Sequence, residues 1–248
     1  IPWVYTKKNM SWGGKSKNGW KLRTLLASHI LAQNKDMITK FFPGRKNVSL
    51  IPRGVDTEEF SPKPKNKKLL KEYRIRKDEK VILAVANLVP VKGIEILLDA
   101  FELLSEKHKS IRLFIVGDKE NDYGRKMEAK TIQSPCSARI HFTGKVQNVS
   151  DYYSIADVFV LPTLDEGRRE GCPVSLLEAM ASGLPVVASD IPGVIDIREP
   201  FPESMFSAGD VVKLNEALEV ALTKPTNEHP ELIRSRILEN YTIDIEVS

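Results

Sequence analysis

The stretch VILAVANLVPVKGIEILLDAFELLSEKHKSIRLFIVGD, residues 81–118, decides the fold class of this chain. It begins with a short apolar run (residues 81–88), continues with apolar side chains at helical spacing (residues 93–108), and closes with a second apolar run (residues 111–118). A buried strand, an amphipathic helix and another buried strand, in this order, are typical of one β–α–β unit in a parallel sheet.

The same alternation continues toward the end of the chain. Further strands are predicted in RIHFTGKV (139–146), VFVLP (158–162) and PVVASD (185–190). Helices are predicted near residues 124–133, 149–157 and 173–183, and again in 214–223 and 231–241. We therefore predict an α/β fold, a Rossmann-like doubly wound parallel sheet, over residues 51–248.

Residues 1–50 have a different pattern. The segment GWKLRTLLASHILAQNKDMITKFF (19–42) indicates a helix, a brief strand-like run and a second helix, which are too few elements for a domain. Prolines at positions 43, 52, 62 and 64 then mark a junction. We predict that residues 1–50 are the C-terminal remnant of a preceding domain, and that the chain alone binds its ligand without completing a reaction. Segment 7–23, with Trp12 and Trp20, is then expected to be partly exposed and mobile.

Composition narrows the functional class. The chain has 248 residues and only two cysteines, Cys136 and Cys172, which form no disulfide framework and favour a reducing, cytoplasmic setting.

The net charge of the chain, +4, hides an asymmetry, because residues 1–80 hold 20 Lys and Arg against 7 Asp and Glu, a charge of +13. The basic runs at 63–71 and 73–77 indicate either a solvated linker and helix face or attraction to an anionic membrane surface. No recognised nucleic-acid motif accompanies them, so no nucleic-acid partner is predicted.

Loops after the strands are expected to carry the site, because ligands of open parallel sheets lie outside the carboxyl ends of the strands. Lys92 stands where a helix begins, so that its ammonium and free backbone N–H groups can converge on a phosphate, although a solvated lysine is the simpler alternative. The loop lacks GxGxxG, which argues against a nicotinamide or flavin dinucleotide. Gly144 ends another predicted strand, where glycine lets backbone approach a flat ligand or simply makes a turn.

Two glutamates flank the start of the helix at 173–183. Glu178 is the only charged side chain from Gly171 to Ser189, and an ionised carboxylate among apolar residues is costly unless it is paired or hydrogen-bonded. Its partner is either the vicinal diol of a ribose or an Arg or Lys from a neighbouring element. Glu170 is expected to accept hydrogen bonds from sugar hydroxyls. Pro173 suits the first helical turn, which leaves N–H groups free for an anion at Cys172, Val174 and Ser175.

The segment EGCPVSLLE (170–178), followed by AMASGLPVVASDIPG, resembles the signature of the family 4 retaining glycosyltransferases. Similar stretches are IPRGVDTEEFSP (51–62), VPVKG (89–93), LFIVGD (113–118) and FTGKV with YYSIADVFVLPT (142–163). The resemblance covers about residues 45–240 in the right order. It implies the GT-B architecture of two facing Rossmann-like domains, with this chain being mainly the donor-binding half.

The resemblance also implies roles for individual residues. Glu178 would bind the nucleotide ribose, Glu170 would contact the donor sugar, and Lys92 would hold the diphosphate. Asn87 stands where the family usually has an arginine on the diphosphate, and Arg53 stands where it usually has an asparagine. The predicted catalytic residues are Glu170 and Lys92, and the predicted donor-binding residues are Asn87, Lys92, Gly144, Lys145, Gly171, Cys172, Pro173, Val174, Ser175 and Glu178.

The function that the resemblance implies is retaining transfer of a sugar from a nucleoside diphosphate sugar to an acceptor hydroxyl on a glycan or lipid-linked molecule. No cofactor besides the donor substrate is expected. No metal is expected either, because the sequence has no Asp-x-Asp pair to hold a divalent ion against a diphosphate. Two alternatives stay open: a GT-B nucleotide-sugar epimerase, and a nucleotide-binding regulatory module without turnover. The expected location is cytoplasmic, with peripheral contact at the inner face of the membrane if the basic runs bind lipid.

Overall fold

The structure, a computed structural model, describes residues 3–8, 19–166, 170–223 and 229–247. Its first part contains a parallel sheet of three strands, β1 (Val4–Lys7), β2 (His29–Ala32) and β3 (Val48–Leu50), in the order β1-β2-β3. Helix α1 (Gly19–Leu26) connects β1 to β2, and α2 (Lys35–Phe41) connects β2 to β3. Residues of β2, of α2 and of its C-terminal cap form a small apolar cluster of their own, which includes Ile30, Met37 and Phe42.

The sequence predicts α1, β2 and α2 but misses β1 and β3. Both missed strands are short and mostly exposed or half-buried, so neither has the apolar run that indicates a buried strand. The domain boundary at residue 50 stays a prediction. The expectation of mobility at 7–23 falls mainly on residues outside the described ranges, including Trp12 and the side chain of Trp20.

The second part of the chain contains a sheet of six parallel strands in the order β6-β5-β4-β7-β8-β9. The strands are β4 (Lys80–Val85), β5 (Ile111–Val116), β6 (Ile140–Gly144), β7 (Val158–Leu161), β8 (Val186–Ser189) and β9 (Met205–Phe206). The chain adds β5 and β6 on one side of β4 and then returns to add β7 on the other. This reversal creates a switch point between β4 and β7, where the loops at the carboxyl ends diverge and leave a crevice.

Nine helices of the described ranges accompany this sheet. They are α3 (Lys67–Glu72), α4 (Ile94–Lys107), α5 (Asp122–Ile132), α6 (Ser150–Ile155), α7 (Val174–Ala181), α8 (Pro192–Arg198), α9 (Val211–Thr223), α10 (Pro230–Asn240) and α11 (Ile243–Val247). Successive side chains of β4 enter opposite cores. Val81 and Leu83 pack with residues of α6, α7 and α10, whereas Ile82 and Ala84 pack with α4 and α9. Burial on both faces explains why this strand is continuously apolar in sequence.

The predicted Rossmann-like parallel sheet is therefore confirmed, with differences at particular elements. Strands β4 and β5 end at Val85 and Val116, before residues 88 and 118, because the backbone leaves the sheet there to line the crevice. The sequence also misses α8, α11 and β9, which are short. The basic run at 63–71 includes α3, whose lysines are exposed. None of the helices in the described ranges is long and apolar enough to cross a membrane.

Candidate active site

A cleft with a volume of about 520 Å³ opens at the carboxyl ends of β4, β5 and β6, beside the switch point. Its lining brings together residues that the sequence analysis selected from three loops and one helix. They are Asn87, Lys92, Lys145, Glu170, Cys172, Pro173, Val174, Ser175 and Glu178. The two remaining predicted residues, Gly144 and Gly171, directly adjoin lining residues in the chain. A single concave site thus contains cations, carboxylates and the start of a helix, while their individual roles stay predictions.

Lys92 and Glu170 form an ion pair within this cleft. The Lys92 Nζ donates to Glu170 Oε1, and both side chains are only 19% exposed. The backbone places Lys92 at the end of a 3₁₀ turn (Pro90–Lys92), before Gly93, which adopts a left-handed conformation with φ 65° and precedes α4. The simple alternative of a solvated lysine is therefore wrong. Glu170, which is predicted to accept hydrogen bonds from sugar hydroxyls, thus lies against Lys92, which is predicted to hold the phosphate. A sugar phosphate bound at this place can contact both side chains.

The start of α7 presents backbone donors to the same cleft. Pro173 is extended and precedes the helix as its N-cap, rather than lying in the first turn, and no side chain caps the helix. Among the described residues no acceptor is found for the N–H groups of Val174 and Ser175. Unpaired N–H groups at a helix start, together with the helix dipole, attract an anion. The Cys172 side chain does not add a nucleophile, since burial raises the pKa of its thiol to about 11.

Glu178 has a hydroxyl partner within the described part of the chain. The buried Tyr153 hydroxyl on α6 lies 2.8 Å from Glu178 Oε2 and 3.1 Å from the carbonyl oxygen of Ser175. Burial raises the pKa of the Glu178 carboxyl, and the hydrogen bond from Tyr153 opposes that shift. Within the described ranges no Arg or Lys forms an ion pair with Glu178, and no partner is found for Oε1. Among the described residues the partner of Glu178 is therefore a hydroxyl, and the Glu178 side chain lines the cleft.

The far end of the cleft is formed by the loops after β5 and β6. Lys145 Nζ lies 2.8 Å from Asp118 Oδ2, and this pair holds the two loops together. Gly144 has a φ of 74°, in the left-handed region that favours glycine, so it does make a turn as well as adjoin the cleft. Arg53 is not among the residues that line the cleft, but its backbone N–H donates to the sulfur of the cleft residue Cys172, and its Nε lies 3.5 Å from Glu246 Oε1 of α11.

Two residues of the site region were missed from sequence. Tyr153 appeared there only as part of a helix, and Asn34 did not appear at all. The buried Asn34 caps α2 by accepting from the Met37 N–H at 2.8 Å, and its Nδ2 donates to the Gly171 carbonyl oxygen at 2.7 Å. A Cβ on Gly171 would lie 2.4 Å from the Lys8 carbonyl oxygen. The loop that carries Glu170 is therefore packed tightly against the first part of the chain. An N-cap signal at Asn34 is visible in the sequence, but its contact with Gly171 is not.

No group of three or more His, Cys, Asp or Glu side chains suited to a metal ion is found in the part of the chain that the structure describes. This is a finding on those residues only, and metal independence stays a prediction.

Comparison with known proteins identifies the family. The family model described as glycosyl transferases group 1 matches residues 65–236, well over half of the chain. This chain belongs to that family. An uncharacterized glycosyltransferase of Haemophilus influenzae is 35% identical over 133 residues, which are 53% of this chain and 36% of that protein. A GDP-mannose-dependent alpha-(1-6)-phosphatidylinositol monomannoside mannosyltransferase of Mycobacterium tuberculosis is 28% identical over 179 residues, which are 68% of this chain and 45% of that protein. The chain therefore spans less than half the length of these two relatives.

Solved structures share the fold of this group 1 glycosyl transferase. Sucrose-phosphate synthase of Thermosynechococcus elongatus matches with a TM-score of 0.80 at 21% identity, over 100% of this chain and 66% of that one. HepE of Anabaena, solved with UDP and glucose, matches with a TM-score of 0.83 at 20% identity, over 99% of this chain and 69% of that one. At such identities the likeness shows the fold alone, a Rossmann-like parallel sheet matching that of GT-B neighbours.

Proposed function

We propose that this chain binds the donor of a retaining glycosyltransferase, which transfers a sugar from a nucleoside diphosphate sugar to an acceptor hydroxyl. The observation that carries the proposal is the convergence of Lys92, Glu170, Glu178 and the start of α7 on one cleft at the switch point. In this arrangement Glu178 accepts the ribose hydroxyls, while Lys92 and the α7 N–H groups hold the diphosphate. Glu170 contacts the sugar, and the backbone at Gly144 meets the base. Retention rests on the resemblance of EGCPVSLLE to the family 4 signature.

The chemistry that such a site supports is stabilisation of a leaving diphosphate. Breaking the bond between the sugar and the phosphate leaves negative charge on the leaving oxygen, and fixed positive charge at that position lowers the barrier. Lys92 supplies an ammonium, and the α7 start supplies oriented N–H groups. Because Glu170 lies next to Lys92, the pair is close to neutral until a diphosphate competes for the ammonium.

A nucleotide-sugar panel tests this function. UDP-, GDP- and ADP-sugars are screened for thermal stabilisation of the chain, where a ligand at 100 times its dissociation constant adds about 2.7 kcal/mol. The best donor is then incubated with candidate acceptors and the protein of full family length, and glycoside and free nucleoside diphosphate are measured together. Formation of both supports transfer. A sugar that is altered but still attached to its nucleotide indicates the epimerase. If the protein of full family length binds the donor but forms neither glycoside nor free nucleoside diphosphate, the regulatory module is indicated.

We expect Glu178 and Glu170 to control different parts of donor recognition. Glu178→Gln removes the charge that accepts ribose hydroxyls and should weaken nucleoside diphosphate binding by about 1.5–3 kcal/mol, as expected for a charged hydrogen bond. Glu170→Ala should impair sugar transfer more than nucleoside diphosphate binding, because its partner is the sugar. Calorimetric titration with the nucleoside diphosphate and with the intact donor measures binding, and glycoside formation by the protein of full family length measures transfer. Equal losses for the two ligands in both variants would contradict the separate roles.

We expect no requirement for a divalent metal. The ammonium of Lys92 and the dipole of α7 supply fixed positive charge where a diphosphate would otherwise need a metal ion. Donor binding by this chain, and transfer by the protein of full family length, should therefore be unchanged in excess chelator. The control is the same assay with added manganese or magnesium, and activity that chelator abolishes and manganese restores would make this expectation wrong.

A further inference from the structure

The Tyr153 hydroxyl has a single proton and lies within hydrogen-bond distance of two acceptors, Glu178 Oε2 and the Ser175 carbonyl oxygen. Its ring is 1% exposed and packs against Phe60 and Phe159, with ring centroids 5.8 Å away in each case. The hydroxyl is 2.8 Å from Glu178 Oε2 and 3.1 Å from the Ser175 carbonyl oxygen. A phenol donates only one hydrogen bond at a time. Tyr153 therefore serves one of these acceptors, depending on the protonation of Glu178.

The protonation of Glu178 decides where that proton goes. An ionised carboxylate is the stronger acceptor and the closer one, so Tyr153 donates to Glu178 Oε2 when the carboxyl is charged. If Glu178 takes up a proton, its own O–H can donate to the phenol oxygen, and Tyr153 turns its proton to the Ser175 carbonyl. In the protonated form Oε1 is a neutral carbonyl oxygen, which accepts hydrogen bonds from ligand hydroxyls more weakly than an ionised carboxylate does.

We propose that Tyr153 is a positioning residue that fixes the Glu178 carboxylate as an acceptor for both ribose hydroxyls, and thereby sets a preference for ribonucleotide over deoxyribonucleotide donors. This inference rests on the proposed function of the cleft. The physical reason is orientation: a bond to Oε2 holds the carboxylate plane, so that Oε1 stays directed into the cleft. Without that bond the carboxylate of Glu178 rotates about its last torsion angle, which has only broad preferences.

The bond also stabilises the charged form of Glu178. Burial raises the pKa of this carboxyl, the Tyr153 hydroxyl lowers it, and nearby Glu59 raises it further. Tyr153 itself stays protonated, because burial raises the pKa of its hydroxyl well above the usual value. Removing the hydroxyl therefore lets Glu178 take up a proton at a higher pH. In the described part of the chain, the neighbouring elements also carry Arg234 on α10, which donates to the Ala181 carbonyl oxygen, and the cleft residues Lys92, Lys145, Asp118 and Glu170.

Binding of matched nucleotides tests the proposal. UDP, GDP and ADP are titrated, and the tightest is compared with its 2′-deoxy and 3′-deoxy counterparts on the 248-residue chain. The unaltered chain should prefer the ribonucleotide about tenfold over each, as one charged hydrogen bond would give. Tyr153→Phe should lose most of that preference, because ribonucleotide affinity falls while deoxyribonucleotide affinity changes little. Tyr152→Phe is the matched control: it also removes a hydroxyl from a buried ring, and that hydroxyl lies 3.3 Å from the Tyr73 hydroxyl instead.

The pH profile and a double variant separate positioning from a structural effect. In Tyr153→Phe the residual ribose preference should disappear at a higher pH than in the unaltered chain. In the Glu178→Gln background the same change should have no further effect on the preference, because Tyr153 acts through Glu178. An unchanged ribose preference in folded Tyr153→Phe would overturn the inference while leaving the proposed function intact. If no nucleoside diphosphate binds at all, the proposed function itself fails.

Where Tyr153→Phe does not fold, 3-fluorotyrosine at position 153 replaces it as the test. Its more acidic hydroxyl is a stronger donor to Glu178, so the pH at which half of the ribose preference is lost should move downward, and an unmoved midpoint would overturn the inference.

Discussion

Lys92→Met is expected to weaken nucleoside diphosphate binding by about 100-fold, or about 2.7 kcal/mol, within the range for truncating one partner of a charge pair. Two effects add in the same direction. The change removes the ammonium proposed to hold the diphosphate, and it leaves the half-buried Glu170 carboxylate without its partner at the same place. The diphosphate then meets a negative charge where it had met a nearly neutral pair. Calorimetric titration of the tightest of UDP, GDP and ADP measures the loss.

Lys130→Met is the matched control for this variant. Lys130 is also partly exposed and also paired, with its Nζ 2.7 Å from Asp99 Oδ1, but the pair lies between α4 and α5 and does not line the cleft. Its affinity should stay within about twofold of the unaltered chain, since a pair away from the ligand changes binding little. Adding Glu170→Gln to Lys92→Met should restore part of the lost affinity by removing the repulsion. Full affinity in Lys92→Met would mean that Lys92 does not hold the diphosphate.

Gly93→Ala is expected to destabilise the fold by about 3 kcal/mol or more. Gly93 has a φ of 65°, and a Cβ built there would lie 1.9 Å from the Pro162 carbonyl oxygen. The variant therefore combines a strained left-handed backbone with a steric clash, and each costs about 1–3 kcal/mol. The clash is not easily relieved, because both contacting groups belong to the backbone, after β7 and before α4. In a chain of this size such a loss lowers the melting temperature by about 6–12 °C. Thermal unfolding followed by circular dichroism measures it.

Gly44→Ala isolates the part of this effect that comes from strain alone. Gly44 has a φ of 73°, but no atom lies within 4 Å of a Cβ built at that position. It should therefore lose only about 1 kcal/mol, as expected for a left-handed alanine. The difference between the two variants measures the close approach of Gly93 to the end of β7. Equal losses in the two variants would show that the contact with Pro162 has no cost.

Which structural features can be predicted from the sequence depends on whether the residues involved are close together or far apart along the chain. The parallel sheet follows from local pattern, because strands buried on both faces such as β4 must be apolar throughout. The strands β1, β3 and β9 have two to four residues each and bury little, so they leave no such pattern. Their existence depends on the neighbouring strands with which they pair.

The same distinction holds for the cleft. That Lys92, Glu170 and Glu178 belong to one site follows from their places after successive strands and from the resemblance of the motif. Their actual partners do not follow, because Tyr153 is 25 positions from Glu178 and Glu170 is 78 positions from Lys92. The sequence indicates that Glu178, a carboxylate in an apolar helix, needs a partner. It does not indicate which one, because the Tyr153 hydroxyl reaches Glu178 only through the contact of α6 with α7.

The hydrogen bond from Asn34 to the Gly171 carbonyl oxygen, which joins positions 137 residues apart, limits how this chain can be recombined with its relatives. A chimera that takes residues 1–50 from another family member also replaces the donor that holds the loop of Glu170. Crossovers that keep an amide at position 34, or that exchange the loop at 170–175 together with residues 1–50, should retain ligand affinity. Crossovers that separate the two segments should lose it although every cleft residue is unchanged, so chimeric libraries are best built by exchanging these segments as one block.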